Sequence, residues 1–168
     1  MKKIIFLLFT TSIVLIDQII KFAVVSNIKL ESSLNLIPDL LSITYIQNTG
    51  AAFGMLKGHT ILFVLICASA VITALFFFFK TPAEKIKTSY AISISLIIGG
   101  GIGNLVDRIQ TQYVIDYIHI SFFPAIFNFA DIAVVIGSIL FMICTIRRDD
   151  KNFNKNIYNR QIDEKTKN

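Results

Sequence analysis

Residues 124–146 read PAIFNFADIAVVIGSILFMICTI. From Ala125 onward this stretch is apolar and long enough to cross ~30 Å of hydrocarbon at ~1.5 Å rise per residue, yet it holds Asn128 and Asp131 three residues apart. An ionised carboxylate at the centre of a membrane helix costs at least ~2.5–3.5 kcal/mol on insertion scales, so such a residue is kept for a task or a partner. The chain must therefore fold in a membrane and give Asp131 polar company there.

The rest of the chain agrees. Of its 168 residues, 54% are hydrophobic and 16% charged, and the mean hydropathy is +0.68, well to the apolar side of a soluble domain. Four runs are long enough to span: Ile4–Val25, Thr60–Phe79, Ser89–Val106 and Ala125–Ile146. The third contains Gly99 and Gly103 in GxxxG spacing, which suits a helix in the middle of a bundle, where backbones approach closely. The N-terminal MKKIIFLLFTTSIVLI resembles a secretory leader, but the apolar run continues through DQIIKFAVV without an A-x-A-like cleavage site. It reads as a retained first span.

The net charge of +5 does not point to nucleic acid, because the basic residues are not interleaved with aromatics. Twelve of the 16 Lys and Arg residues precede span one, link spans two and three, or follow span four. With four spans all twelve fall on one side, and the positive-inside rule puts both termini in the cytoplasm. Residues 1–150 then form a membrane domain with outer loops 26–59 and 107–124, and the polar tail 151–168 is expected to be disordered. Cys67 and Cys144 lie at different depths and are not expected to pair.

This topology gathers the polar residues of the spans into one layer. Asp17 and Lys21 fall in the outer half of span one, Asn104, Asp107 and Arg108 near the outer end of span three, and Asn128 and Asp131 within ~10 Å of the same surface in span four. Within each helix they sit at i, i+3 or i, i+4 and share a face, and such stripes face protein or water rather than lipid. The first outer loop contains LSITYIQ, which reads as a strand, then NTGAAFG with turn and close-approach residues Asn48, Gly50 and Gly54. The second contains QYVIDYIHI, strand-like and bearing Asp116. A small sheet on the outer surface would cover the pocket and bring Asp116 towards Asp131.

Two carboxylates in a partly dry site do not both ionise easily, so one keeps a proton while the other acts as base. That arrangement can activate water against a peptide carbonyl with no metal or other cofactor. An Asp107–Arg108 ion pair at a helix end is the structural alternative for those two residues. His59 and His119 lack HExxH spacing, which speaks against zinc, and Ser93 and Ser95 have no His or Lys partner at their depth. The rival is a small proton-coupled transporter with a relay through Asp17, Asp107 and Asp131. A relay should cross the membrane, however, and these acids gather in one leaflet.

The ordered motifs DQIIK (17–21), NTGAAFG (48–54), GNLVDR (103–108), VIDY (114–117) and FNFAD (127–131) resemble those of lipoprotein signal peptidase, also called signal peptidase II. The resemblance spans nearly the whole chain apart from the tail. It implies a bacterial inner-membrane aspartic endopeptidase with four transmembrane helices, an extracytoplasmic β-sheet cradle and an active site near the outer leaflet. Its substrates would be prolipoproteins cut before a diacylglyceryl-modified cysteine, its surroundings membrane lipid, and its inhibitors globomycin-like cyclic peptides. The motifs place the catalytic pair at Asp116 and Asp131. Asn48, Asn104, Arg108 and Asn128 match residues that line the site, and Asp17, Lys21 and Asp107 match supporting polar positions; Gly50 belongs to the first-loop motif. The chain departs from the family in having no Trp before Pro124, where it has Phe122 and Phe123, and in an additional Ile126.

Overall fold

The structure is a computed structural model that describes residues 2–50 and 60–146. Gly54, His59 and the basic tail, including Arg147 and Arg148, lie outside the described residues. Among the described residues, four helices are long and apolar enough to span a membrane: α1 (Lys2–Asn27), α2 (Thr60–Lys80), α3 (Thr88–Thr111) and α4 (Phe129–Ile146). A short 3₁₀ turn, Ala83–Lys85, joins α2 to α3.

The helix with the lowest hydropathy occupies the centre. The most apolar 18 residues of α3 are 44% buried, against 6% for α2 and 17% for α4, because glycines let its neighbours come close. A Cβ on Gly99 would stand 2.8 Å from Ile13 Cβ of α1, one on Gly103 would stand 2.5 Å from Asp17 Oδ2, and one on Gly100 would collide with the Ala130 carbonyl oxygen of α4. Gly137 returns the favour from α4, where a Cβ would lie 2.8 Å from Leu96 Cβ. At the end of the bundle near the N-terminus, Phe6 stacks on Phe78 at 3.9 Å between centroids. Ile86, Ala91, Ile94 and Ile98 complete that apolar core.

At the opposite end four antiparallel strands form one sheet in the order β1 (Ser33–Ile37), β2 (Leu41–Asn48), β3 (Val114–Ile120) and β4 (Ile126–Phe127). The two expected strand segments are β2 and β3; β1 and β4 are additions. The sheet rests on the bundle through Val24, Tyr45 and Tyr117, with Ile20, Ile28 and Phe129 packed around them. Between β2 and β3 the register slips from Ile43↔Ile118 to Ile46↔Asp116, so one extra residue of β2 bulges at Thr44–Tyr45. Bulges strengthen local twist and redirect side chains, and this one lies beside Asp116.

One boundary differs from the expectation. The fourth span begins at Phe129, not Ala125, because Ile126 and Phe127 pair with His119 and Ile118 of β3 and Asn128 then caps the helix. The chain thus changes from strand to helix across one residue.

Candidate active site

The first turn of any α-helix leaves backbone N–H groups without intrahelical partners. At α4 side chains from across the fold supply them. Asn128 and Asp131 form a reciprocal capping box: Asp131 N–H donates to Asn128 Oδ1 (2.9 Å), and Asn128 N–H donates to Asp131 Oδ2 (3.1 Å). Phe129 N–H donates to the Tyr117 hydroxyl oxygen of β3 (3.2 Å), and Ala130 N–H donates to Asp17 Oδ1 of α1 (3.1 Å). The Asp131 carboxylate is therefore fixed in direction and set at the positive end of a helix dipole.

Asp116 reaches the same residue from the sheet. Asn128 Nδ2 donates to Asp116 Oδ1 at 2.7 Å, so one side chain holds Asp116 while its amide and cap oxygen hold Asp131. Asn48 Nδ2 donates to Asp116 Oδ2 at 2.8 Å. Register makes this contact: Asn48 lies opposite Val114 and Ile46 opposite Asp116, which puts Asn48 and Asp116 diagonally on one face. Gly50 N–H donates to Asn48 Oδ1 (3.0 Å) and so fixes which end of the amide faces Asp116. Asn104 Nδ2 donates to Asp131 Oδ1 (2.7 Å), and Asn104 Oδ1 accepts from Asn128 Nδ2 (3.1 Å).

Asp116 is only 2% exposed, and its carboxyl is pushed up to about 6, first by burial and then by the negative charge of Asp131, against the pull of the Asn48 and Asn128 amides. Tyr117 stays a neutral phenol, its ionisation pushed up by burial and the nearby carboxylates.

A second layer supports the first. Lys21 Nζ has three polar partners for its three protons: Asp17 Oδ2 (2.8 Å), Asp107 Oδ2 (2.8 Å) and Asn104 Oδ1 (3.0 Å). All three charged residues are at most 3% exposed. Asp107 Oδ2 also accepts from Ile115 N–H at the start of β3 (3.1 Å), while Gln18 Nε2 donates to Asp107 Oδ1 (2.9 Å) and the Gly103 carbonyl (3.2 Å). This buried cluster joins α1, α3, α4 and β3 behind the two upper carboxylates. Such clusters hold because every member is satisfied.

The alternative, an Asp107–Arg108 pair, does not form. Successive helix residues point about 100° apart, so Asp107 turns inward to Lys21 while Arg108 turns to α2. There its guanidinium lies 5.4 Å from the Phe63 ring centroid and donates to the Asn104 carbonyl oxygen (3.3 Å). His119 stands apart from the carboxylates, 3.4 Å from Ser42 Oγ. Thus Asp17, Lys21, Asn48, Gly50, Asn104, Asp107, Asp116, Asn128 and Asp131 belong to one connected network, with Arg108 at its α2 side. Sequence reasoning missed Gln18 and Tyr117. The signal was there for both, since Gln18 lies inside DQIIK beside Asp17 and Tyr117 lies inside VIDY beside Asp116.

Over most of its length the chain is similar to known proteins. Residues 9–147 match the family described as signal peptidase (SPase) II. The chain is 40% identical over 131 residues to the lipoprotein signal peptidase of Halothermothrix orenii, covering 78% of this chain and 88% of that protein. It is 41% identical over 151 residues to that of Streptococcus pyogenes serotype M2, covering 89% and 98%. A bacterial membrane enzyme solved by the in meso method has a TM-score of 0.79 at 33% identity, covering 87% of this chain and 90% of that one. A second has a TM-score of 0.74 at 34% identity, covering 83% and 91%. With the family matched along most of its length and four spanning helices under a small sheet, this chain is a multi-pass bacterial membrane protein of the signal peptidase II family.

Proposed function

We propose that this protein is an aspartic endopeptidase that removes the signal peptide from diacylglyceryl-modified prolipoproteins, with Asp116 and Asp131 as its catalytic pair. The observation that supports this most is the meeting of both carboxylates on Asn128, one through its side-chain amide and one through its capping box. A water held between them loses a proton to the ionised carboxylate as its oxygen attacks the scissile carbonyl carbon. The protonated partner gives its proton to the carbonyl oxygen. Collapse of the tetrahedral adduct re-forms the carbonyl and breaks the C–N bond, and the amine leaves with a proton from the pair. Asp116, its carboxyl pushed up to about 6 by burial, is the proposed holder of the resting proton.

The basic-residue count orients the chain with both termini in the cytoplasm and the sheet outside, so the pair lies near the outer surface of the membrane. A signal peptide crosses as a helix, whose carbonyls are hidden in its own hydrogen bonds. It must unwind at the surface to be cut, and strand-like pairing against the sheet would hold it extended. The acyl chains stay in lipid, and a globomycin-like cyclic peptide would compete for the same space. A relay for transport is a poorer reading, because Asp17 and Asp107 are tied to backbone amides and to Lys21.

The test is cleavage of a lipidated precursor by Asp116→Asn and Asp131→Asn proteins reconstituted in vesicles. Both are expected to lose activity while remaining folded, and the unlipidated precursor is expected to be a poor substrate for the unmodified protein. Normal turnover by either variant refutes the catalytic assignment; equal rates on the two precursors refute lipid recognition.

A further inference from the structure

Asp131 is the third residue of α4, and Ser138, Met142 and Thr145 follow it by seven, eleven and fourteen positions. At ~3.6 residues per turn these return to one side of the helix. They, with Phe141 and Ile146, form one wall of an open groove of about 380 Å³ whose other side is Ile97 of α3. The wall is apolar; Thr145 spends its hydroxyl on the Phe141 carbonyl oxygen (3.0 Å).

The α3 side continues upward in the same way. Ile97, Gly101, Asn104 and Arg108 are spaced by four, three and four residues and share a face. Gly101 meets Val71 of α2, with 3.1 Å from a built Cβ to Val71 Cγ2, Arg108 lies over Phe63 of α2, and Asn104 donates to Asp131. The groove thus lies on the side of α3 that faces α2, and it begins at Ser138, ~10 Å along α4 from Asp131.

We infer that this groove holds the apolar helix of the substrate's signal peptide. The inference rests on the peptidase reading above. Thr145 lies ~21 Å along α4 from Asp131 at ~1.5 Å per residue, and the apolar region of a signal peptide, 7–15 residues, spans ~10–22 Å as a helix. Length also separates this occupant from the diacylglyceryl chains. With the carboxylates near the outer surface, the bilayer midplane is ~15 Å below, so Met142 and Thr145 reach into the inner leaflet, where outer-leaflet acyl chains do not extend. A signal peptide runs from the scissile bond to the cytoplasm and must pass through that depth.

The test uses the full chain in vesicles, made uncleaving by Asp116→Asn, with the photo-reactive residue p-benzoylphenylalanine placed in turn at Met142, Thr145 and Ile136, the last on another face of α4. Illumination with a lipidated precursor is expected to join the signal peptide to positions 142 and 145, at least tenfold over position 136. Equal yields at the three positions, or adducts with lipid alone, overturn the inference. Kinetics give a second reading in otherwise unmodified protein. Met142→Trp is expected to raise KM about tenfold for the full precursor and not for a short lipidated peptide that lacks the apolar helix. An equal rise for both substrates would assign the groove to acyl chains and overturn the proposal. If the unmodified protein cut neither substrate, the peptidase reading would fall, and this inference with it.

Discussion

Substituting Asn128 separates two roles that a single side chain performs. Asn128→Ser keeps an oxygen able to cap α4, since Ser and Asn are near-equal at this position, but removes the 2.7 Å donation from Nδ2 to Asp116. A hydrogen bond to a charged group is worth ~1.5–3 kcal/mol. At ~1.36 kcal/mol per unit, its loss raises the Asp116 pKa by ~1–2 units above its present value of about 6. The sign is fixed by chemistry, because the amide donates to the anion and its removal favours the protonated acid. Profiles of kcat/KM against pH on a lipidated precursor should show the limb governed by Asp116 moved upward by that amount. Asn128→Ala should show the same shift with a further ~1 kcal/mol of lost stability from the missing cap, read as a lower Tm in detergent. An Asn128→Ser protein with an unmoved profile and full kcat would mean that Asn128 does not tune Asp116, and the account of the shared partner would be wrong.

The remaining predictions concern the frame around this pair. Lys21→Met leaves Asp17 and Asp107 buried without their cation and should cost ~3–5 kcal/mol, measured by thermal unfolding; removing both acids as well, as Asp17→Asn and Asp107→Asn, should restore part of the loss. Gly103→Ala puts a methyl 2.5 Å from the buried Asp17 Oδ2 and should cost ~1–3 kcal/mol, whereas Gly101→Ala, whose nearest neighbour is a Val71 methyl at 3.1 Å, should cost less in the same assay. Because the folded state raises the Asp116 pKa from 3.8 to about 6, folding takes up a proton between those values. The group therefore opposes folding increasingly as pH rises from about 4 to 6, by up to ~3 kcal/mol. Unmodified protein minus Asp116→Asn should show that fall in a series of Tm measurements across this range, and a flat difference would contradict it.

Much of this architecture was legible in the order of residues. Apolar length gives the spans, Gly99 and Gly103 mark α3 as the central helix, and the depth of Asp17, Asn104, Asp107, Asn128 and Asp131 gathers them in one layer before any contact is known. Alternating β-branched residues reveal β2 and β3. The rest depends on long-range geometry. Strand β1 is exposed along its whole length, so no buried face imposes a period on it, and β4 has two residues, too few for any pattern. Hydropathy starts the fourth span too early because it does not distinguish a partly buried strand end from a helix; the Asn-x-x-Asp spacing of a capping box at 128–131 is the better guide. The pairing of Asp107 with Lys21 rather than Arg108 follows from which helix face meets α1, and a neighbour in sequence says little about that.

The capping of α4 has one more consequence. Helix starts commonly offer free amides to negative charge, and hydrolases use such donors to steady the oxyanion of a tetrahedral adduct. Here Asn128, Phe129, Ala130 and Asp131 have already turned their amides inward to Asp131, Tyr117, Asp17 and Asn128. On the proposed mechanism, a carbonyl oxygen reaching this helix would meet side chains instead of peptide dipoles, so its growing charge would be quenched by a transferred proton rather than cradled by the backbone.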